Sequence, residues 1–126
     1  FFLSGIIAAE AQTISTYAGN RTGGYSGDGG QTTTAELDLV YGICIDSSGN
    51  LILADWDDNR VRKIIKFTGI ITNIGGNGGY NYGGDGGGQA TVAEIHLPYG
   101  LALDASGNIY INDKVDDRIR KITLST

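Results

Sequence analysis

Tyr41-Gly42-Ile43-Cys44-Ile45-Asp46 returns as Tyr99-Gly100-Leu101-Ala102-Leu103-Asp104, and that return decides the fold. Downstream, Ser48-Gly49-Asn50-Leu51-Ile52-Leu53-Ala54-Asp55 matches Ser106-Gly107-Asn108-Ile109-Tyr110-Ile111-Asn112-Asp113. Arg60-Val61-Arg62-Lys63-Ile64 matches Arg118-Ile119-Arg120-Lys121-Ile122. Upstream, Gly24-Tyr25-Ser26-Gly27-Asp28-Gly29-Gly30 matches Asn81-Tyr82-Gly83-Gly84-Asp85-Gly86-Gly87. Asp28 and Asp85 stand 57 positions apart and Asp46 and Asp104 stand 58 apart, so one residue is inserted near Gly88. A fixed period of this length marks a repeat architecture. The copies occupy 13–68 and 69–126, behind an apolar extension over 1–12.

Each copy reads as four short strands. Ile14–Ala18 and Ile70–Ile74 are β-branched runs ending at Gly or Ala. Tyr41–Asp46 and Tyr99–Asp104 are almost continuously apolar, the pattern of a strand buried on both faces. The Ser-Gly-Asn turns join these to Leu51–Asp55 and Ile109–Asp113 as hairpins, because Gly and Asn tolerate positive φ. Arg60–Ile65 and Arg118–Ile122 alternate charged and apolar residues, as half-exposed strands do. No long apolar stripe of helical period occurs, and only Thr34–Leu39 and Val92–Leu97 could form a helical turn. The chain is all-β.

Composition removes whole classes of function. The 126 residues suit one domain, and Gly supplies 21 of them, against a usual share of about 7%. One His and one Cys preclude a zinc site of several such ligands within one chain, and a disulfide framework. A net charge of -5, from 14 acidic and 9 basic residues, argues against nucleic acid as partner. Residues 1–9 are too short to span a bilayer. They read either as the tail of a secretory signal, with Ala9-Glu10-Ala11 as a small-x-small cleavage site, or as an apolar strand that packs on something.

Four antiparallel strands per period with a Gly-rich connection are the mark of a β-propeller blade. The succession Gly-Tyr-Ser-Gly-Asp-Gly-Gly, Ala-Glu-Leu, Tyr-Gly, Asp-x-Ser-Gly-Asn and Arg-x-Arg-Lys-Ile resembles the NHL repeat, in its extracellular bacterial variety with long GDGG loops. Val40 departs from that pattern where the repeat usually has Pro, as Pro98 does. The resemblance implies a propeller and an extracellular or cell-surface location.

Two blades cannot close a propeller. Ile14–Ala18 belongs with a blade whose other strands lie outside the chain, and the strands of 99–122 lack an outer partner. One copy can therefore complete the next head to tail, giving a ring if the rotation closes and a filament if it does not. Three chains would give six blades. The expected assembly edge comprises Ile14, Thr16, Tyr17, Ile119, Ile122 and Leu124. Phe2-Leu3-Ser4-Gly5-Ile6-Ile7 also resembles Lys66-Phe67-Thr68-Gly69-Ile70-Ile71, so the sequence starts about where a preceding blade would stop; a piece of a longer chain is the remaining alternative.

The polar motifs point to structure before chemistry. The GDGG loops match no phosphate-binding fingerprint and no helix follows them; Asp28 and Asp85 are expected to bond nearby amides, with Ca²⁺ binding as the alternative. Asp55-x-Asp57-x-Asn59 opens like a calcium loop, but Arg60 and Lys66 replace the required Gly and Glu. Asp55 and Asp113 are expected to pair with the following arginines or to cap the turn. His96 has no nucleophile marked beside it, and Cys44 reads as a buried thiol. The Arg60, Arg62, Lys63 stripe and its counterpart Arg118, Arg120, Lys121 read as solvated or paired with Asp. Asn20-Arg21-Thr22 is a glycosylation acceptor motif. Tyr25, Tyr80, Tyr82 and Trp56 could offer a glycan or protein an aromatic surface.

No cofactor or metal is expected. The favoured reading is a non-enzymatic interaction scaffold that assembles with copies of itself. A structural filament or surface-layer subunit is the alternative, and a propeller lyase or hydrolase the second.

Overall fold

The computed structural model describes Gly5 and residues 11–124. The signal-remnant and assembly-strand readings of the N-terminal extension, and the likeness of Phe2–Ile7 to 66–71, lie mostly outside the described residues. Seven strands follow in order: β1 (Val40–Ile45), β2 (Leu51–Asp55), β3 (Arg60–Ile65), β4 (Ile70–Gly75), β5 (Pro98–Leu103), β6 (Ile109–Asp113) and β7 (Arg118–Ile122). They form two antiparallel meanders, a four-stranded sheet β1-β2-β3-β4 and a three-stranded sheet β5-β6-β7. Among the described residues the only helical turns are two 3-10 turns, Thr32–Thr34 and Ala90–Val92, each just ahead of or overlapping the window where the sequence allowed a turn.

The hairpins form because Asp46 and Asp104 organise the Ser-Gly-Asn turns. Asp46 Oδ1 accepts the amides of Ser48 and Asn50 at 3.0 and 2.9 Å, and Asp104 repeats both bonds at the same lengths. Lys63 Nζ lies 2.8 Å from Asp46 Oδ2. Partial burial would raise the Asp46 pKa, but the hydrogen bonds from Lys63 and Asn50 hold it well below the usual carboxylate range.

Two apolar clusters place the layers. Ile52 and Val61 of the first sheet meet Ile109 and Ile111 of the second, with Ile95 from the segment ahead of β5, in a core between the sheets. Ala35, Leu53, Ile64 and Ile71 seal the Gly-rich segment 19–39 against the opposite face of the first sheet. The inner strands β1 and β5 touch at Gly42, where a Cβ would stand 2.6 Å from the Tyr99 carbonyl oxygen. Only glycine permits that approach.

Three expectations need correction. Ile14–Ala18 is in no ladder among the described residues, with Ile14 99% exposed; its end is tied down where Thr32 Oγ1 donates to the Tyr17 carbonyl at 2.9 Å. Tyr41–Asp46 is not buried on both faces: Gly42 and Cys44 turn to the second sheet, while Ile43 and Ile45 are 64% and 66% exposed. The apolar run reflects a face with no neighbour in this chain. Arg60–Ile65, expected half-exposed, is covered on both sides, and Arg62 has no exposed surface at all. Segment 19–39 covers one face of that strand and the second sheet the other.

Candidate functional site

The buried arginines explain the GDGG loops. Arg62 Nη2 donates to the Ser26 carbonyl at 2.7 Å and to Asp28 Oδ1 at 2.8 Å. Its Nη1 donates to the Glu36 carbonyl at 2.7 Å and lies 3.4 Å from Asp55 Oδ2. Arg120 repeats the set on Gly83, Asp85, Glu94 and Asp113. A buried guanidinium is tolerable only when its charge is paired and its donors are largely satisfied; both Nη atoms of Arg62 are bonded, while its buried Nε has no hydrogen-bond partner. Asp28 and Asp85 thus bond an arginine, not nearby amides as expected. Gly27 and Gly84 pass so near Ala35 and Ala93 that a Cβ would sit 2.7 and 2.5 Å from their Cα atoms, at φ +83 and +86.

Asp55 and Asp113 pair with the arginines as foreseen, but the amides they accept lie 17 residues upstream and not in the turns that follow them. Each pairs with its arginine through one oxygen; with the other, Asp55 accepts the Asp38 amide at 2.7 Å and Asp113 the His96 amide at 2.8 Å. Burial pushes the Asp55 pKa up to about 6, outweighing the Asp38 hydrogen bond and the charge of Arg62.

Of the four aromatics singled out, two are engaged. Tyr25 donates to Asp28 at 2.5 Å and lies beneath Arg60, whose guanidinium carbon is 3.6 Å from the ring centre. Tyr82 donates to Asp85 and lies beneath Arg118 at 3.8 Å. Burial, then the hydrogen bond to Asp28, raises the Tyr25 pKa. Tyr80 is 67% exposed and its ring approaches His96, centroids 6.1 Å apart. Trp56 opens the β2–β3 turn and meets Tyr41, which stacks on Tyr99.

Cys44 is half-buried, and burial followed by the charge of Asp46 pushes its thiol pKa up, against thiolate chemistry. Asn20 is held on both sides of its amide: Nδ2 donates to the Thr34 carbonyl at 3.2 Å and Oδ1 accepts the Thr22 amide at 2.8 Å. Among the described residues no three His, Cys, Asp or Glu side chains gather as a metal site, and no helix is long and apolar enough to cross a membrane.

The assembly-edge residues divide between two places. Ile119 (70% exposed), Ile122 and Leu124 lie on or just past β7, which has no partner on its outer side among the described residues. Between β7 and the loop Gly84–Thr91 opens a cavity of about 600 Å³, lined also by Ala93, Ile95, Ile111 and Arg120. In the first sheet β4 fills the matching space: Ile71 exchanges backbone hydrogen bonds with Gly29 and Gly30 at 2.8 and 3.1 Å. Ile14, Thr16 and Tyr17 lie at the other end, in a segment that leads into Gly19 just as β4 leads into Gly76. Gly19 and Gly76 have φ +90 and +82, and each donates to the matching carbonyl, Thr32 and Ala90, at 2.9 Å. Asn20 and Asn77 then make the same pair of hydrogen bonds. Residues 13–18 therefore correspond to β4, with Ile14 in the place of the fully buried Ile71.

These sheets are propeller blades. Solved structures share their arrangement. One is a Bacteroides thetaiotaomicron protein provisionally described as a phosphatase, 24% identical, with a TM-score of 0.67 over 86% of this chain and 26% of its own. An auxiliary nutrient binding protein from Bacteroides ovatus is 22% identical, with a TM-score of 0.62 over 79% of this chain and 26% of its own. Another from Bacteroides thetaiotaomicron is 20% identical, with a TM-score of 0.61 over the same shares. The chain spans about a quarter of the length of these neighbours. No family model matches it, and no curated protein does.

Sequence reasoning missed Tyr41, Tyr99 and Lys114 as surface groups and Arg62 as a buried centre. The recurrence of Tyr 58 positions apart at the head of each inner strand was the available signal. The alternation in Arg60–Ile65 gave no sign that segment 19–39 would cover that strand.

Proposed function

We propose that this chain is a non-catalytic module of NHL type that assembles by lending its 13–18 segment to the second blade of another copy. It would act outside the cell or on its surface, as a scaffold for protein or glycan ligands, without nucleic acid. The extracellular placement rests on the resemblance of the repeats. One observation carries the assembly reading: among the described residues the second blade has three strands, and elsewhere a segment equivalent to β4 is in no ladder. Strand addition to an open edge is a general mode of association, since backbone hydrogen bonds give affinity and alternate side chains give register.

The internal contact between blades serves as a template for the contact between copies. Cys44, Ile52 and Val61 face the second blade, and one period on they become Ala102, Tyr110 and Ile119. Ile109, Leu101 and Leu103 face the first blade, and one period earlier they are Leu51, Ile43 and Ile45. The exposed Ile119 of one copy would then meet the exposed Ile43 and Ile45 of the next, with Gly100 approaching Tyr41 as Gly42 approaches Tyr99.

Native mass of the purified protein tests this, with Ile14→Lys and Ile119→Lys compared. A discrete multimer or a long polymer that both variants reduce to single chains is expected. Single chains in the unsubstituted protein, or multimers indifferent to Ile14→Lys, would sink strand sharing. A filament in place of a ring would make the structural alternative the function.

A further inference from the structure

The turn between β2 and β3 reaches from the first blade to the second. Asn59 Oδ1 accepts the Leu97 amide at 2.8 Å, and Arg60 Nη2 donates to the Asn77 carbonyl at 2.8 Å. Gly76 and Gly78 make room for that turn. A Cβ on Gly76 would collide with the Asn59 carbonyl oxygen, and one on Gly78 would stand 2.5 Å from Arg60 Nη1. One repeat earlier the matching positions, Gly19, Arg21, Asp38 and Leu39, line an open groove of about 450 Å³ together with Ala18 and Leu37. Leu39 and Leu97 share a left-handed backbone, φ +53 and +56, but among the described residues no side chain accepts from the Leu39 amide as Asn59 does from Leu97. The groove is a seat for a turn of the same kind.

The turn that corresponds to Asn59-Arg60 is Asp117-Arg118, on the far blade and exposed. Asp117 already has the backbone of Asn59, φ +51 against +52. Strand sharing would carry this turn to the groove. In the first blade Val61 pairs with Gly75, which leads straight into Gly76 beside Asn59. A copy whose 13–18 segment lies along β7 would by the same path bring its Gly19 beside Asp117 of its neighbour.

The junction between copies is not a plain repeat of the contact between blades. Among the residues that line the groove or reach into it, three differences introduce charge: Asp117 stands for Asn59, Arg21 for Gly78 and Asp38 for His96. Arg21 holds φ +76, in the left-handed region that Gly78 occupies at +89, so its Cβ leaves the backbone in the direction found at Gly78. Repeating the internal contact would therefore set two cations, Arg118 and Arg21, side by side. The end of Arg118 can swing aside, but its charge needs an answer, and Asp117 and Asp38 supply two. Within one chain, among the described residues, none of these four side chains is in an ion pair. Burial first, and the charge of Asp38 next, raises the Asp58 pKa, a repulsion that a cation arriving in the groove would relieve.

We propose that copies recognise one another through a cluster of four charges that the contact between blades of one chain lacks: Asp117 and Arg118 of one copy with Arg21 and Asp38 of the next. Asp117 also accepts the Leu39 amide of that next copy, as Asn59 accepts Leu97. The cluster rests on the strand sharing proposed above and gives it specificity, since complementary charges at a junction favour one partner and one register.

Native mass against concentration, by analytical ultracentrifugation, gives the concentration at which half of the copies are joined. For the unsubstituted protein it should rise about tenfold between about 0.05 and 0.5 M NaCl. Arg21→Asp and Asp117→Arg should each raise it about tenfold at low salt, and the two together should restore it to within about threefold. Asp117→Asn places at 117 the residue that the matching turn carries, so it suits the backbone and keeps an acceptor for Leu39. It should weaken joining about threefold at low salt and equal the unsubstituted protein at high salt. Urea midpoints of all variants, expected to be unchanged, separate a folding defect from a lost contact. A double variant no better than its weaker parent overturns the cluster. So do folded single variants that join as the unsubstituted protein does; if Ile14→Lys still separates the copies, strand sharing survives that result. Unsubstituted copies that never join would sink strand sharing and the cluster together.

Discussion

The two blades share a loop, an arginine and a hairpin, and among the described residues differ by one strand. With β4 present, Ile71 is fully buried, Thr32 is 4% exposed, and Arg62 has no exposed surface. Without a fourth strand, Arg120 is 8% exposed and its partner Asp85 has a side chain 56% exposed, against 30% for Asp28. No residue of the Ala90–Val92 turn is buried. The hydrogen bonds to the arginine keep nearly the same lengths in both blades. The fourth strand therefore does not build the loop; it excludes water from it. An ion pair kept from water loses its solvation and depends on its partners, whereas one near water is cushioned.

Removing each arginine should expose that contrast most. Arg62→Ala leaves Asp28, Asp55 and two carbonyls without their donor, and should lower stability by about 3–5 kcal/mol in urea unfolding. Arg120→Ala should cost roughly half as much, because water reaches Asp85. Equal losses would mean that the fourth strand contributes nothing to the network. Next come the glycines that let the loop approach: Gly27→Ala forces a side chain at φ +83 against the Ala35 backbone and should cost about 2–3 kcal/mol. Gly84→Ala should cost less, since its loop borders the open cavity and can shift into it. A urea midpoint that moves further for Gly84→Ala than for Gly27→Ala would reverse this reading.

Acid titration sharpens the same point. The Asp55 pKa is raised to about 6, so the folded chain holds a proton that the unfolded chain releases from about pH 4 upward. Its contribution to stability therefore falls as pH rises from about 4 to 6. Asp46 has the opposite sign: its depressed pKa supplies stability that is lost as pH drops below about 4. Asp55→Asn should flatten the decline between pH 4 and 6 in a series of urea midpoints, while Asp46→Asn should flatten only the acid limb. The smallest expected effect is complementation in trans. A peptide of the sequence Gly69–Gly76, added in excess to the Ile14→Lys variant, whose own segment should no longer fill the edge, should slow amide exchange in Arg118–Ile122 and leave β3 unchanged. Protection spread evenly over both blades would mean that the peptide is not reading the vacant edge.

Much of the architecture was legible because the repeats are matched residue for residue. The period, the hairpins at Asp46 and Asp104, and the order of the strands within each sheet all follow from spacing and turn chemistry. What escaped was decided by contacts across the period. Arg62 alternates with apolar residues as a solvated residue would; its burial depends on Gly27 and Asp28, more than thirty positions away. Ile43 and Ile45 read as buried because sequence cannot say whether a neighbouring blade is present. Trp56 was noticed for its type, while Tyr41 and Tyr99 were absorbed into strands, because the stack they form joins two repeats.

The sequence repeat and the blade are out of phase: the repeat ends near residue 68, while the first blade runs on to Gly75. Any whole number of repeats cut in this phase carries one surplus strand in front and one vacancy behind. Under the proposed strand sharing, copy number becomes a free variable, because six single repeats, three pairs or two triplets would meet through the same junction. Under that same sharing, lengthening or shortening such a chain by duplication would change how many molecules make a circle and leave untouched the chemistry by which they join.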